Sequence, residues 1–270
     1  MTPAAQTLVN GLPIDQVAAL DRGLSYGDGV FRTLRIRHGQ PVWWADHLEK
    51  LQADCQRLQI PVPTPEVWQQ DCDSLVLPEY GVMRMTVTRG LSPRGYAMPD
   101  TPSVTRIVSV WADDAAATAE PVNIDARVCQ LRLGHQPALA GVKHLNRLEN
   151  VLARSEWRDP SIREGLLLDE HDFVISGVMT NVFIWRDQIL QTPLLDQCGV
   201  AGVTRARLMR HARQVGLRVE ERRLTLNDVL AADELMFTNS LIGLWRVKQV
   251  GDRQWPTPQI SKDLWTMLHA

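Results

Sequence analysis

In the first part of the chain, apolar and polar positions alternate with a period of two, the signature of strands with one buried face. Thr7-Leu8-Val9-Asn10-Gly11 reads as a strand running into a turn. Gly29-Val30-Phe31-Arg32-Thr33-Leu34-Arg35-Ile36 reads as another, stopped at His38-Gly39, and Val82–Thr88 pairs with Thr105–Val110 around the loop Arg89–Pro102. Between them Leu48, Leu51, Cys55 and Leu58 recur at helical spacing. They predict an amphipathic helix over Asp46–Leu58, stopped by Pro61, Pro63 and Pro65.

The period is lost over Ala112–Pro121, an alanine-rich polar stretch that predicts an interdomain linker at 113–121. It separates a smaller N-terminal α/β domain, 1–112, from a larger C-terminal domain, 122–270. The second half opens on a strand near Val122–Leu131. A helix follows in which Leu145, Leu148, Val151 and Leu152 share one apolar face. Strands are expected at Gly165–Asp169 and Asn181–Trp185, and a helix at Val203–Val215 closed by Gly216. Val229–Ala232 and a strand around Leu235–Thr238 complete the core. The fold class is a two-domain α/β (α+β) protein.

Composition narrows the function. With 270 residues, 44% hydrophobic and 22% charged, the chain is an ordinary globular one, long enough for a sizeable core. A formal net charge of -2 gives no reason to expect nucleic acid or an acidic membrane as partner. No apolar run nears the roughly 18 residues of a membrane span, and the N-terminal residues lack a secretory pattern, so a cytoplasmic location is expected. Cys55, Cys72, Cys129 and Cys198 are scattered, form no metal-ligand spacing and read as buried thiols, with no metal expected. Lysine is scarce: Lys50, Lys143, Lys248 and Lys262 stand against 25 arginines. Lysine can lose its proton when desolvated and arginine cannot, so each of the four invites a chemical question.

Lys143 lies in Leu139-Ala140-Gly141-Val142-Lys143-His144-Leu145, an apolar approach to a helix. Such a lysine either snorkels to the surface or is desolvated and nucleophilic. Two turns downstream favour chemistry. Cys198-Gly199-Val200-Ala201-Gly202-Val203-Thr204-Arg205 leads two glycines into a helix whose first turn suits a phosphate, although a capped glycine loop would look the same. Thr238-Asn239-Ser240 is a second polar turn after an apolar strand. A desolvated lysine with two phosphate-binding turns is what a pyridoxal-phosphate site requires.

Asp21-Arg22-Gly23-Leu24-Ser25-Tyr26-Gly27-Asp28-Gly29-Val30-Phe31-Arg32-Thr33 resembles the N-terminal signature of fold-type IV, D-amino acid aminotransferase-like, pyridoxal-phosphate enzymes. That family includes branched-chain aminotransferases, D-amino acid transaminases and aminodeoxychorismate lyases. Gly141–Leu152 and Arg89-Gly90-Leu91-Ser92-Pro93-Arg94-Gly95-Tyr96 are similar to the lyase branch. The resemblance implies conversion of 4-amino-4-deoxychorismate to 4-aminobenzoate and pyruvate, a step of folate biosynthesis, by a homodimer with pyridoxal 5'-phosphate as cofactor. It implies Lys143 as Schiff-base lysine and acid–base, and Thr33 as proton donor to the departing methylene. Val203, Thr204 and Ser240 match the phosphate positions. Arg94, Arg35, Tyr96 and Asn239 are the implied substrate contacts.

Two positions depart from the family pattern. The carboxylate expected beside the pyridine nitrogen is Ser176, in Val174-Ile175-Ser176-Gly177, and the phosphate-binding arginine is Lys50, in His47-Leu48-Glu49-Lys50-Leu51. The alternatives are an aminotransferase of the same fold and a degenerate relative that no longer binds the cofactor. Gly23-Leu24-Ser25-Tyr26-Gly27 also matches the GxSxG nucleophile elbow, but an elbow needs strands before the serine and a helix after it. Too few residues precede Ser25, and those that follow read as strand.

Overall fold

The computed structural model describes residues 6–113 and 121–269. Most of the predicted linker, 114–120, therefore lies outside the described residues. The chain divides into two compact units, Met1–Ala117 with Val142–Asn146, and Thr118–Gly141 with Arg147–Ala270. The segment 142–146, which the pattern assigned to the C-terminal domain, belongs to the first unit.

The first unit is a five-stranded sheet backed by helices. Its elements are β1 (Gln6–Val9), α1 (Arg22–Tyr26), β2 (Gly29–Arg37), β3 (Gln40–Pro41), α2 (Trp44–Arg57), α3 (Pro65–Asp73), β4 (Tyr80–Thr88) and β5 (Thr105–Ala112). The strand order is β1-β5-β4-β2-β3, antiparallel throughout. Alternation along β2 sends Val30, Leu34 and Ile36, all fully buried, into a core with Leu51 and Cys55 of α2, Trp68 of α3 and Met83, Met85 and Val87 of β4. Burying a side chain of this size stabilises the fold by about 1.5–3 kcal/mol. Val142 joins the same core, and residues 143–145 border the start of β2: His144 bridges Val30, Phe31 N–H donates to Lys143 O, and Leu145 N–H donates to Gly29 O.

The second unit holds β6 (Val122–Leu133), α4 (Leu148–Arg154), β7 (Ile162–Asp169), β8 (Phe173–Gly177), β9 (Asn181–Arg186), β10 (Ile189–Pro193), α5 (Val203–Gln214), β11 (Arg218–Arg222), β12 (Leu224–Thr225), α6 (Leu226–Leu230), β13 (Glu234–Asn239), β14 (Gly243–Val250), β15 (Arg253–Gln254) and α7 (Ser261–His269). Nine strands run in the order β11-β10-β9-β13-β14-β6-β7-β8-β12, and β15 pairs with β14. Val182, Ile184, Leu235, Phe237 and Val247 fill one core, each fully buried. Buried Glu234 organises one end. It receives Arg246 on one oxygen, and on the other the backbone N–H groups of Gln259, Ile260 and Ser261, placing a negative charge at the start of α7.

The mixed α/β class agrees with the pattern, and α5 ends as expected, with Gly216 at φ 85°. The helix near residue 148 needs correction. Leu145 precedes α4, and Leu148, Val151 and Leu152 are 75%, 60% and 58% exposed. Their shared face is apolar but does not pack into this chain's core. Among the described residues no helix is long and apolar enough to cross a membrane.

Candidate active site

In the first unit the chemistry gathers on β2 and the segment alongside it. Phe31, Thr33 and Arg35 occupy one face of β2, opposite the core face. Lys143 Nζ lies 4.5 Å from the centre of the Phe31 ring, so it is on the Thr33 face of the strand. Arg84 on β4, opposite Thr33, reaches the same ring at 4.3 Å. Partial burial presses the Arg84 guanidinium below its ordinary value. The negative face of an aromatic ring attracts cations, so both side chains are drawn to Phe31.

The backbone of Lys143 is anchored by a residue the pattern did not single out. Lys143 N–H donates to Asp54 Oδ2 at 3.1 Å, and Arg32 Nη2 donates to the same oxygen. Lys50 Nζ donates to Asp54 Oδ1 one helical turn away on α2. Asp54 and Arg32 are 1% and 2% exposed. Burial, with the Arg32 and Arg57 charges nearby, presses the Lys50 ammonium down to about 7, and the Asp54 carboxylate opposes this. Arg32 Nε is buried with no partner among the described residues. Lys50, the position at which the resemblance expects a phosphate-binding arginine, thus already has a carboxylate partner.

The loop bearing Arg94 and Tyr96 is exposed, with Tyr96 85% accessible. Buried Arg22 shapes it from beneath, donating to Ser92 Oγ (3.0 Å) and to the carbonyls of Gly95 (3.0 Å), Tyr96 (3.3 Å) and Ala97 (3.2 Å). Tyr26 Oη accepts from Gly95 N–H at 3.1 Å, and the Tyr26 and Tyr96 rings lie 5.3 Å apart. Asp28 holds Arg22 and Arg89 at 2.8 Å each. Partial burial raises the Asp28 pKa, but hydrogen bonds and charge from Arg89 and Arg22 outweigh it and keep the carboxyl below its ordinary value. Arg35, by contrast, is buried and paired to Asp113 at 2.7 Å. That carboxylate occupies the guanidinium the sequence offered to substrate.

In the second unit, the predicted phosphate residues assemble at the start of α5. Gly202 caps the helix without a side chain, so the first-turn N–H groups of Val203 and Thr204 are left without a side-chain cap. Thr204 Oγ1 lies 3.2 Å from Ser240 Oγ, bringing together two turns 36 residues apart. Thr238 Oγ1, near the end of β13 two residues before Ser240, is fully buried with no partner among the described residues. A Cβ at Gly202 would collide with Asn181 Oδ1, which accepts the Gly202 N–H. The Thr204 and Ser240 hydroxyls with an uncapped helix N-terminus form a donor set that fits a phosphate.

Asn239 serves that turn itself. Its Nδ2 donates to Met179 O at 3.1 Å, and its Oδ1 accepts from Leu241 and Ile242 N–H at 2.9 Å each. Both ends of the amide shape the turn that presents Ser240, which leaves less of it for substrate. Ser176 is buried on β8 opposite Leu167. Buried Glu164 does not supply the missing carboxylate, since its oxygens accept from Gly165, Val178 and Met179 N–H and from Thr180 Oγ1. Gly141, two residues before Lys143, donates its N–H to Gly199 O and accepts from Ala201 N–H, within the loop that leads into α5.

Asp54, Arg32, Arg22 and Thr238 are the residues that sequence reasoning missed. Arg22 and Arg32 did lie inside the quoted signature, and Asp54 stands one helical turn from Lys50, but neither observation reveals burial.

Comparison with known proteins extends these observations. Residues 29–250 match the family described as amino-transferase class IV. The chain is 35% identical to the aminodeoxychorismate lyase of Vibrio harveyi, covering 87% of this chain and 88% of the relative. The crystal structure of 4-amino-4-deoxychorismate lyase from Pseudomonas aeruginosa superposes with a TM-score of 0.91 at 39% identity, covering 97% of this chain and 98% of the other. A putative branched-chain-amino-acid aminotransferase of Methanocaldococcus jannaschii is 28% identical, covering 94% and 91%.

Proposed function

This chain belongs to the class IV aminotransferase family, and from that premise we propose that it is a pyridoxal-phosphate-dependent lyase converting 4-amino-4-deoxychorismate to 4-aminobenzoate and pyruvate. The observation that carries this reading is the near-complete superposition on a 4-amino-4-deoxychorismate lyase at 39% identity, against 28% for the aminotransferase above. When bound, the cofactor supplies an aldehyde that condenses with amines and a ring that accepts electrons from a neighbouring C–H bond. Lys143 would carry it through Nζ. Val203, Thr204 and Ser240 would hold its phosphate, with Lys50 adding positive charge.

Once the substrate's amine has taken its place on the cofactor, Lys143 Nζ would be free to take the proton from C4 of the substrate. Thr33, on the same face of β2, passes a proton from Oγ1 to the methylene carbon of the departing enolpyruvyl group. That group leaves as pyruvate, and the ring left behind is aromatic. Arg94 and Tyr96 meet the substrate from their exposed loop, the guanidinium pairing with a carboxylate. Arg35 and Asn239 support the site through Asp113 and the Ser240 turn. Ser176 offers a neutral hydroxyl where the resemblance expects a carboxylate. This favours a reaction with its own driving force, aromatisation, over transamination.

A homodimer in the cytoplasm belongs to the same proposal. The exposed face of Leu148, Val151 and Leu152 supports a second copy as its cover.

The test has two parts. The purified protein, given 4-amino-4-deoxychorismate, should release 4-aminobenzoate and pyruvate in equal amounts. Borohydride reduction followed by peptide mapping should place the pyridoxyl group on Lys143. Label on Lys50, Lys248 or Lys262 would remove Lys143 from its role, and amino-acid transamination without 4-aminobenzoate would replace the lyase reading.

A further inference from the structure

We infer that the second unit carries a divalent-metal site of the zinc class, built from His135, Glu170 and His171 and separate from the residues assigned to catalysis. A nitrogen of each imidazole and a carboxylate oxygen of Glu170 all lie within 4.8 Å of one another. His135 follows β6, and Glu170 and His171 form the turn between β7 and β8. The cluster therefore joins two loops 34 or more residues apart.

The arrangement behind these groups is what separates them from a chance surface cluster. Asp169, with no exposed surface, accepts from His135 Nε2 at 2.9 Å. Its other oxygen accepts the backbone N–H groups of His171 (3.0 Å) and Phe173 (2.9 Å). A buried carboxylate that takes one imidazole N–H fixes the tautomer and turns the other nitrogen outward as a lone pair, as in the outer coordination sphere of zinc sites. For His135 the outward nitrogen is Nδ1, and Glu170 Oε1 stands 3.4 Å from it. That is long for a hydrogen bond but is the separation of two ligands on one tetrahedral ion, since bonds of about 2.0–2.1 Å give edges of about 3.4 Å. The His135 and His171 rings meet edge-on with centroids 4.8 Å apart, so a rotation of the exposed His171 side chain brings in a third ligand.

Two imidazoles and one carboxylate select a borderline ion such as Zn²⁺ over Mg²⁺ or Ca²⁺, which demand oxygen ligands. A fourth position remains for water. The ion would staple the β7–β8 turn to the loop Gly134–Gln136, which leads along the chain to Gly141 and Lys143. Binding to the folded chain alone would raise the unfolding temperature.

Calorimetric titration of the full chain, stripped with a chelator and then supplied with Zn²⁺ alone, tests this. One ion per chain should bind. His171→Ala and Glu170→Gln should each weaken binding by about tenfold or more, and Mg²⁺ should give no heat at the same concentration. The thermal shift caused by Zn²⁺ should shrink in parallel. Both substituted side chains are exposed, so the metal-free variants should unfold at the wild-type temperature. Zn²⁺ binding that is unchanged in both variants, equal binding of Mg²⁺, or no binding below millimolar Zn²⁺ would overturn the assignment.

Discussion

Asp54 receives two cations and the backbone N–H of Lys143 while almost wholly buried. A buried carboxylate is costly to desolvate, and here Arg32, Lys50 and a main-chain donor offset that cost together. Asp54→Asn retains the shape and one acceptor but leaves Arg32 without its counter-charge. The expected loss is about 3–5 kcal/mol of stability, read as a lower urea midpoint. Arg32→Met added to it should restore much of the loss, because an apolar pair of similar volume leaves no charge unpaired. An unchanged midpoint in Asp54→Asn would mean that the triad contributes nothing. The sequence made Lys50 conspicuous but hid its partner. Asp54 shares a helix face with Leu51 and Cys55, where a carboxylate reads as an interruption, and Arg32 lies 22 residues away on a strand.

Single elements show why some parts of the fold were legible and others were not. β5 and the first half of β4 alternate between buried and more accessible positions, and β2 alternates apolar with polar residues although nearly all of it is buried, so their period could be read directly. β8 and β10 are buried almost throughout and offer no period to find. The start of α7 is satisfied by Glu234, more than twenty residues earlier, so no local cap announces it. The loop 92–97 was recognised by its letters alone, yet its conformation depends on Arg22. Each hydrogen bond lost from a charged donor costs about 1.5–3 kcal/mol, so Arg22→Ala should release this loop while the sheet stays folded. Tryptic cleavage after Arg94 should then be at least about tenfold faster, and KM should rise more than kcat falls. Equal cleavage rates would show that the loop is held by other contacts.

For the whole molecule, the exposed apolar face of α4 is the feature that a lone chain does not explain. Leu148 and Leu152 to Asp, made together, should convert a sedimenting dimer to monomer without loss of helical signal. A dimer indifferent to both charges would place the contact elsewhere, and a wild-type monomer would overturn the proposed homodimer. The division of the chain has another consequence. The first unit is completed by residues 142–146, after the chain has already entered the second. On the ribosome, β1 to β5 emerge while the start of β2 still lacks its neighbour, and a bare strand edge invites pairing with other chains. The nascent first unit stays open in this way until Val142 fills its core and Lys143–Leu145 seal the edge. The segment that carries Lys143, the lysine proposed to hold the cofactor, is thus also the closing stitch of the first unit, and a chain released before residue 146 lacks that stitch.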